Sequence, residues 1–175
     1  MTVLGIPKTL AWWNFGAAKE KVPDDYLGSH VDCHIEVNIG ASFGATSDKI
    51  NGGHKLTNVL VNVTLVAGRT WVMKGVPKFP NQAAILQHEQ GHFDIAAITA
   101  KDLDAALIAL RNDDPKTLLA EASQLVASIS SSGQTEEETY DGPVADGGTD
   151  HGSDVTQQAT WTSKLAAAKT LGDLP

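Results

Sequence analysis

The hydrophobic period of this chain changes once, and that change limits what it can fold into. Before Pro77 the period is two; after Pro80 it is close to 3.6. In "HVDCHIEVNI", residues 30–39, Val31, Cys33, Ile35, Val37 and Ile39 face one way and Asp32, His34, Glu36 and Asn38 the other. That alternation marks a half-buried strand. "LTNVLVNVTLVA" alternates in the same way through Val59, Val61, Val63 and Leu65, and "RTWVMK" reads as a short further strand ended by Gly75 and Pro77. Between the first two, "GASFGATSDKINGGHK" carries turn signals, with Asn51-Gly52-Gly53 suited to a hairpin. Residues 30–75 are therefore expected to form a meander of three or four antiparallel strands. An irregular arm, 1–29, precedes them, and its Trp12-Trp13 pair and Phe15 are expected to dock on the core.

From Asn81 to Arg111 the pattern is helical, with Asn81 a suitable N-cap. "NDDP" stops it. Asp114 then caps a second helix whose first residue is Pro115, as helix starts prefer. These two helices are expected within 81–132. A polar, glycine-rich stretch, 133–155, reads as a long loop, and 156–171 as a closing helix with Trp161, Leu165 and Ala168 on one face. Strands followed by helices predict a single α+β domain. Its N-terminal antiparallel meander packs on a C-terminal set of about three helices.

Composition narrows the partners. The 175 residues are 42% apolar, enough for one real core, and the net charge is −8. An acidic chain without a Lys/Arg cluster argues against nucleic acid or an anionic membrane. No segment approaches the roughly 18 apolar residues of a membrane span. Cys33 is the one cysteine, so neither an internal disulfide nor a CxxC zinc site is available. It reads as a small buried side chain in a strand. The N-terminus has no signal peptide as written, which fits either a cytoplasmic protein or a mature form behind an added methionine.

The helix that begins at Asn81 carries "HEQGH", residues 88–92. Residues four apart share one helix face, so His88 and His92 can reach one metal ion. Glu89 then sits beside the metal, placed to take a proton from a bound water and pass it to a leaving amine. The histidines share a stripe with Ile85, Ile95, Leu103, Ala106 and Leu110 and therefore face the core. Buried imidazoles need partners. Hydrogen-bonded core histidines are the plain alternative, but a metal accounts for both histidines and Glu89 together. His30 and His34 also share a face, which reads as a solvated strand surface.

A catalytic zinc usually has three protein ligands and a water. The long motif H-E-x-x-H-x-x-G-x-x-H fails, because its glycine and last histidine positions are Ile95 and Ile98, so the chain is not a metzincin. The third ligand is left among His151, the one histidine beyond the motif, its neighbour Asp150, and Glu121 on the second helix. Asp141, Asp146 and Asp150 do not fit the EF-hand calcium pattern.

The assembled motifs resemble a bacterial family proposed to be secreted zinc-dependent proteases and long filed as a domain of unknown function. Residues 88–96, "HEQGHFDIA", carry most of the likeness. "LAWWNF" (Leu10 to Phe15), Thr70-Trp71-Val72, Tyr140-Asp141, Thr149-Asp150-His151-Gly152, Gln158 and Trp161 add to it. The resemblance implies a zincin-like metallopeptidase in a secreted or periplasmic setting. Its zinc would be held by His88, His92 and His151, with Glu89 as general base. It implies a peptide or protein substrate, Tyr140 as a donor to the oxyanion, and Asp94 as a carboxylate behind a ligand or loop. The strand at 59–66 is expected to offer an edge to an extended substrate.

Overall fold

The computed structural model of the chain describes residues 3–24, 32–48 and 51–174. Strands occupy the N-terminal half and three helices the C-terminal half, as the change of period predicts. His30 and Val31, assigned above to the first strand, lie outside the described residues.

The sheet is built on one hairpin. Strand β3 (Val37–Ser47) pairs antiparallel with β4 (His54–Leu65), with an irregularity between Ser42 and Gly44. The "GASFGATS" stretch is thus strand, not turn. Its period of two persists through Ala41, Phe43 and Ala45, which pack on the core, but small residues disguise it. The far side of β4 takes up β1 (Val3–Leu4) in parallel and β6 (Arg111–Asn112) antiparallel. Within 59–66, expected to offer a substrate edge, the second side of β4 is thus already taken at Val61 and Asn62.

The strand expected over 30–39 is interrupted. β2 (Cys33–His34) leaves the main sheet and pairs antiparallel with β5 (Trp71–Val72). The break follows from two competing acceptors: Ile35 N–H donates to Glu89 Oε2 at 3.0 Å and Glu36 N–H to Thr70 Oγ1 at 3.2 Å. In the arm, Leu10 and Phe15 are buried, whereas Trp13 is 82% exposed, so the expected docking holds for Phe15 and fails for Trp13.

Helix α1 (Gln82–Ala109) runs through the molecule, between two apolar layers. Phe93, Ala96, Ala100, Leu103 and Leu107 belong to the core shared with Leu56, Val61 and Val63 of β4. Ile95 and Ile98 belong to a second cluster with Tyr140, Trp161 and Leu165. Asn81 precedes α1 but makes no side-chain cap.

Helix α2 (Pro115–Asp141) starts as expected, with Asp114 Oδ2 accepting from Thr117 N–H at 2.8 Å. It does not stop at Gly133. That glycine meets Thr99 of α1, where a Cβ would lie 2.5 Å from the threonine Oγ1, so it serves close packing and not termination. Glu136, Glu137 and Glu138 then continue the helix, with Gln134 Nε2 donating to Glu138 Oε1 one turn on. The expected 133–155 loop shrinks to the segment between Asp141 and α3 (Val155–Ala167), whose first turn Asp154 caps at Thr156 and Gln157 N–H.

Candidate metal centre

One helix turn places His88 and His92 side by side, their ring centroids 5.0 Å apart and nearly perpendicular. Both rings are almost wholly buried. His88 is held on three sides. Its ring stacks on Tyr140 at 4.8 Å, and its Nδ1 lies 3.2 Å from Gln158 Oε1 on α3. The loop backbone closes the third side at Gly152, where φ is +78° and a Cβ would lie 2.8 Å from the His88 Cγ. With the Gln158 carbonyl oxygen as acceptor, the imidazole proton sits on Nδ1 and the Nε2 lone pair faces inward, the form a metal requires.

The last residue of α2, Asp141, brings Oδ1 to 3.1 Å from Nε2 of both His88 and His92. Those distances suit hydrogen bonds, yet Oδ1 is buried and has no hydrogen-bond partner among the described residues. Three ligand atoms instead lie within 4.8 Å of one another. Around a tetrahedral ion with bonds of about 2.0–2.1 Å, ligand atoms sit about 3.3 Å apart. The orphaned oxygen and the two inward nitrogens fit such an ion, and two imidazoles with one carboxylate is a set of the catalytic type.

Electrostatics agree. Burial alone would raise the Asp141 carboxyl, but the His88 and His92 imidazoles beside it hold it well below the usual carboxylate range. Burial would lower His92, and Asp141 outweighs it, raising the imidazole to about 9. The carboxylate thus favours a positive charge in this position, and a proton on His92 stands where a cation would.

The centre opens on a cavity of about 240 Å³. Glu89 lines it and is itself 4% exposed. Its Oε1 accepts from the Cys33 thiol at 3.1 Å and its Oε2 from Ile35 N–H at 3.0 Å. Cys33 is buried, as expected. Desolvation, followed by the Glu89 charge, pushes its thiol up, so it is a hydrogen-bond donor and not a nucleophile.

The other expected site residues are placed differently. His151 lines the cavity but is over half exposed, and its Nδ1 lies 3.6 Å from Asp141 Oδ2, outside the three-atom cluster. Asp150 accepts from Ser153 Oγ, and Glu121 holds Asn112 Nδ2, so neither is in the cluster. The Tyr140 hydroxyl is buried; it donates to the His88 carbonyl at 3.0 Å and accepts from Gln158 Nε2 at 2.8 Å. It supports the His88 turn and is not among the cavity-lining residues. Asp94 accepts from Gln90 Nε2, and Gln90 in turn holds Lys8 O and Leu10 N–H. That carboxylate, raised by burial, ties the arm to α1 and stands behind no histidine.

Asp141 is the residue that sequence reasoning missed. The signal was present. The buried stripe of α2 runs Leu118, Ala122, Val126, Ile129, Gly133, Tyr140 at helical spacing, straight through the glycine taken as its end. His34, read as a solvated strand residue, also lines the cavity. No curated protein and no solved structure matches the chain. The model of a family described as a bacterial protein of unknown function (DUF922) matches residues 81–152, a stretch that contains His88, Glu89, His92, Asp141 and His151.

Proposed function

We propose that the chain is a zinc-dependent endopeptidase, acting on peptides or proteins in a secreted or periplasmic setting. The observation that carries this reading is the convergence of His88, His92 and Asp141 on one point at the wall of a cavity that Glu89 shares. His88 and His92 would hold the metal through Nε2 and Asp141 through Oδ1. When bound, zinc supplies Lewis-acid polarisation and brings the pKa of a coordinated water to about 7.

Everything else falls to the chain. Glu89 accepts the proton of the attacking water and returns it to the amine as the peptide bond breaks. Cys33 and Ile35 N–H hold its two oxygens and so fix the plane of the carboxylate. Gln158 and Tyr140 fix the rotation of His88. Glu89→Gln should keep about one zinc per chain and lose roughly 10²- to 10⁴-fold in peptide turnover, the share general acid–base catalysis supplies. Elemental analysis beside a peptide-cleavage assay reads both, and full activity in the variant would sink the mechanism.

One observation favours a second reading, a zinc-stabilised binding module without turnover. Both Glu89 oxygens already bind the β2 segment, a structural task that needs no catalysis. In that case zinc would raise the melting temperature of the wild type while casein and peptide libraries remained uncut.

A further inference from the structure

A second cavity lies along α1, off the stripe that carries His88 and His92. Its volume is about 570 Å³, more than twice that at the metal centre, and no residue lines both. Such a volume is typical of a small-ligand site. The N-terminal arm builds it. Gln90 Nε2 donates to Lys8 O and to Asp94 Oδ1, and Gln90 Oε1 accepts from Leu10 N–H, so the arm is pinned beside the helix. Pairing of Val3 and Leu4 with β4 fixes its other end. The floor belongs to the core: Phe93, Ala97 and Ile98 of α1 and Leu165 of α3 are buried and line it. Val3 and Ile6 of the arm complete the apolar wall.

Only three polar residues line this cavity, Lys8, Asp94 and Lys101; the rest are apolar. Asp94 is already engaged by Gln90, and burial raises its carboxyl. The Lys101 charge reaches Asp94, but neither lysine has an ion-pair partner among the described residues. In a chain of net charge −8, two cations beside one engaged carboxylate make a locally positive rim. Lysine stems lie along apolar surface while their ammonium groups stay near water, where they can meet an anion. No lining side chain is a hydroxyl or an amide, so peptide amides buried here would lack side-chain partners. The acidic chain as a whole disfavours an anionic membrane. We propose that this cavity binds a medium-chain fatty acid, its hydrocarbon on the floor of Phe93, Ile98 and Leu165 and its carboxylate between Lys8 and Lys101. The inference is independent of any reaction at the metal centre.

Calorimetry with the full chain and decanoate, kept below its micellar concentration, tests this. One decanoate should bind per chain. Octanoate should bind about tenfold more weakly, at roughly three- to fourfold for each methylene removed. Decyltrimethylammonium, the same chain with the opposite charge, should show no saturable binding. The double variant Lys8→Glu with Lys101→Glu should lose roughly 10- to 100-fold in decanoate affinity, the usual loss for charged hydrogen-bond donors. Ala166→Trp fills the cavity from its exposed rim and should abolish binding, with the melting temperature of the unliganded chain close to that of the wild type. Equal affinity for decanoate and decyltrimethylammonium overturns the inference, as does wild-type affinity in either the double-lysine variant or Ala166→Trp. The absence of saturable decanoate binding to the wild type overturns it too. If trileucine, which carries both a carboxylate and amides, binds as tightly as decanoate, the site is one for peptides. If phosphatidylglycerol vesicles bind and decanoate does not, it is a membrane contact. Either result overturns the fatty-acid assignment.

Discussion

At Asp141 burial and the neighbouring imidazoles pull the carboxyl in opposite directions, and the imidazoles win. An oxygen held ionised, buried and without a hydrogen bond is costly unless a cation completes it. Asp141→Ala should therefore abolish stoichiometric zinc binding, whereas His151→Ala, which changes a residue at the rim, should leave close to one zinc per chain. Equilibrium dialysis with elemental analysis compares the two, and zinc loss from His151→Ala would return that histidine to the ligand set. Gly91 gives a second residue-scale test. Alanine in an exposed helix position usually gains about 1 kcal/mol over glycine. Here the added Cβ would lie 2.2 Å from the Tyr140 hydroxyl. Gly91→Ala should instead destabilise by about 1–3 kcal/mol, the range of overpacked sites, and denaturant unfolding would show the sign.

Each element supplies the site with one thing. α1 spaces the two histidines, α2 delivers Asp141 from its last turn, α3 contributes Gln158, and β2 clamps Glu89. α3 is short, 13 residues, and isolated helices of that length are marginal in water. Its start depends on Asp154, which accepts from two backbone N–H groups. Asp154→Ala should cost about 1 kcal/mol, a typical loss for an N-cap. In a chain of this size that lowers Tm by roughly 2–4 °C. Because α3 carries Gln158, the same variant should also weaken zinc binding, though it lies outside the ligand set. A thermal melt and a zinc titration check the two effects; unchanged affinity would mean that α2 alone holds His88 in place.

For the molecule as a whole, the centre ties the first half of α1 to the far end of α2, the helix that follows it. A metal bound only by the folded state stabilises it by mass action, by about 2.7 kcal/mol when free zinc is a hundred times its dissociation constant. Tm should therefore rise with zinc and fall with a chelator, and the Asp141→Ala variant should show neither change. Among the described residues no helix is long and apolar enough to cross a membrane.

Periodicity in the sequence determined the element types: alternation made strands of the first half, and the 3.6-residue repeat made helices of the second. The spacing of His88 and His92 likewise determined two thirds of the candidate site, because both histidines and Glu89 lie within about one helix turn. Local pattern could not supply the rest. The apolar spacing of α2 already runs past Gly133, but only the tertiary structure decided that this glycine is a contact, since its partner Thr99 lies on another helix. That contact carries α2 on to Asp141 and makes an aspartate the third member of the cluster. It also decided that Tyr140 is buried against Gly91 and that His34 looks into the cavity from β2. The physical reason is common to these cases. A residue's neighbours along the chain set its backbone, but which buried polar atoms meet is settled by packing between elements, and sequence spacing does not encode it.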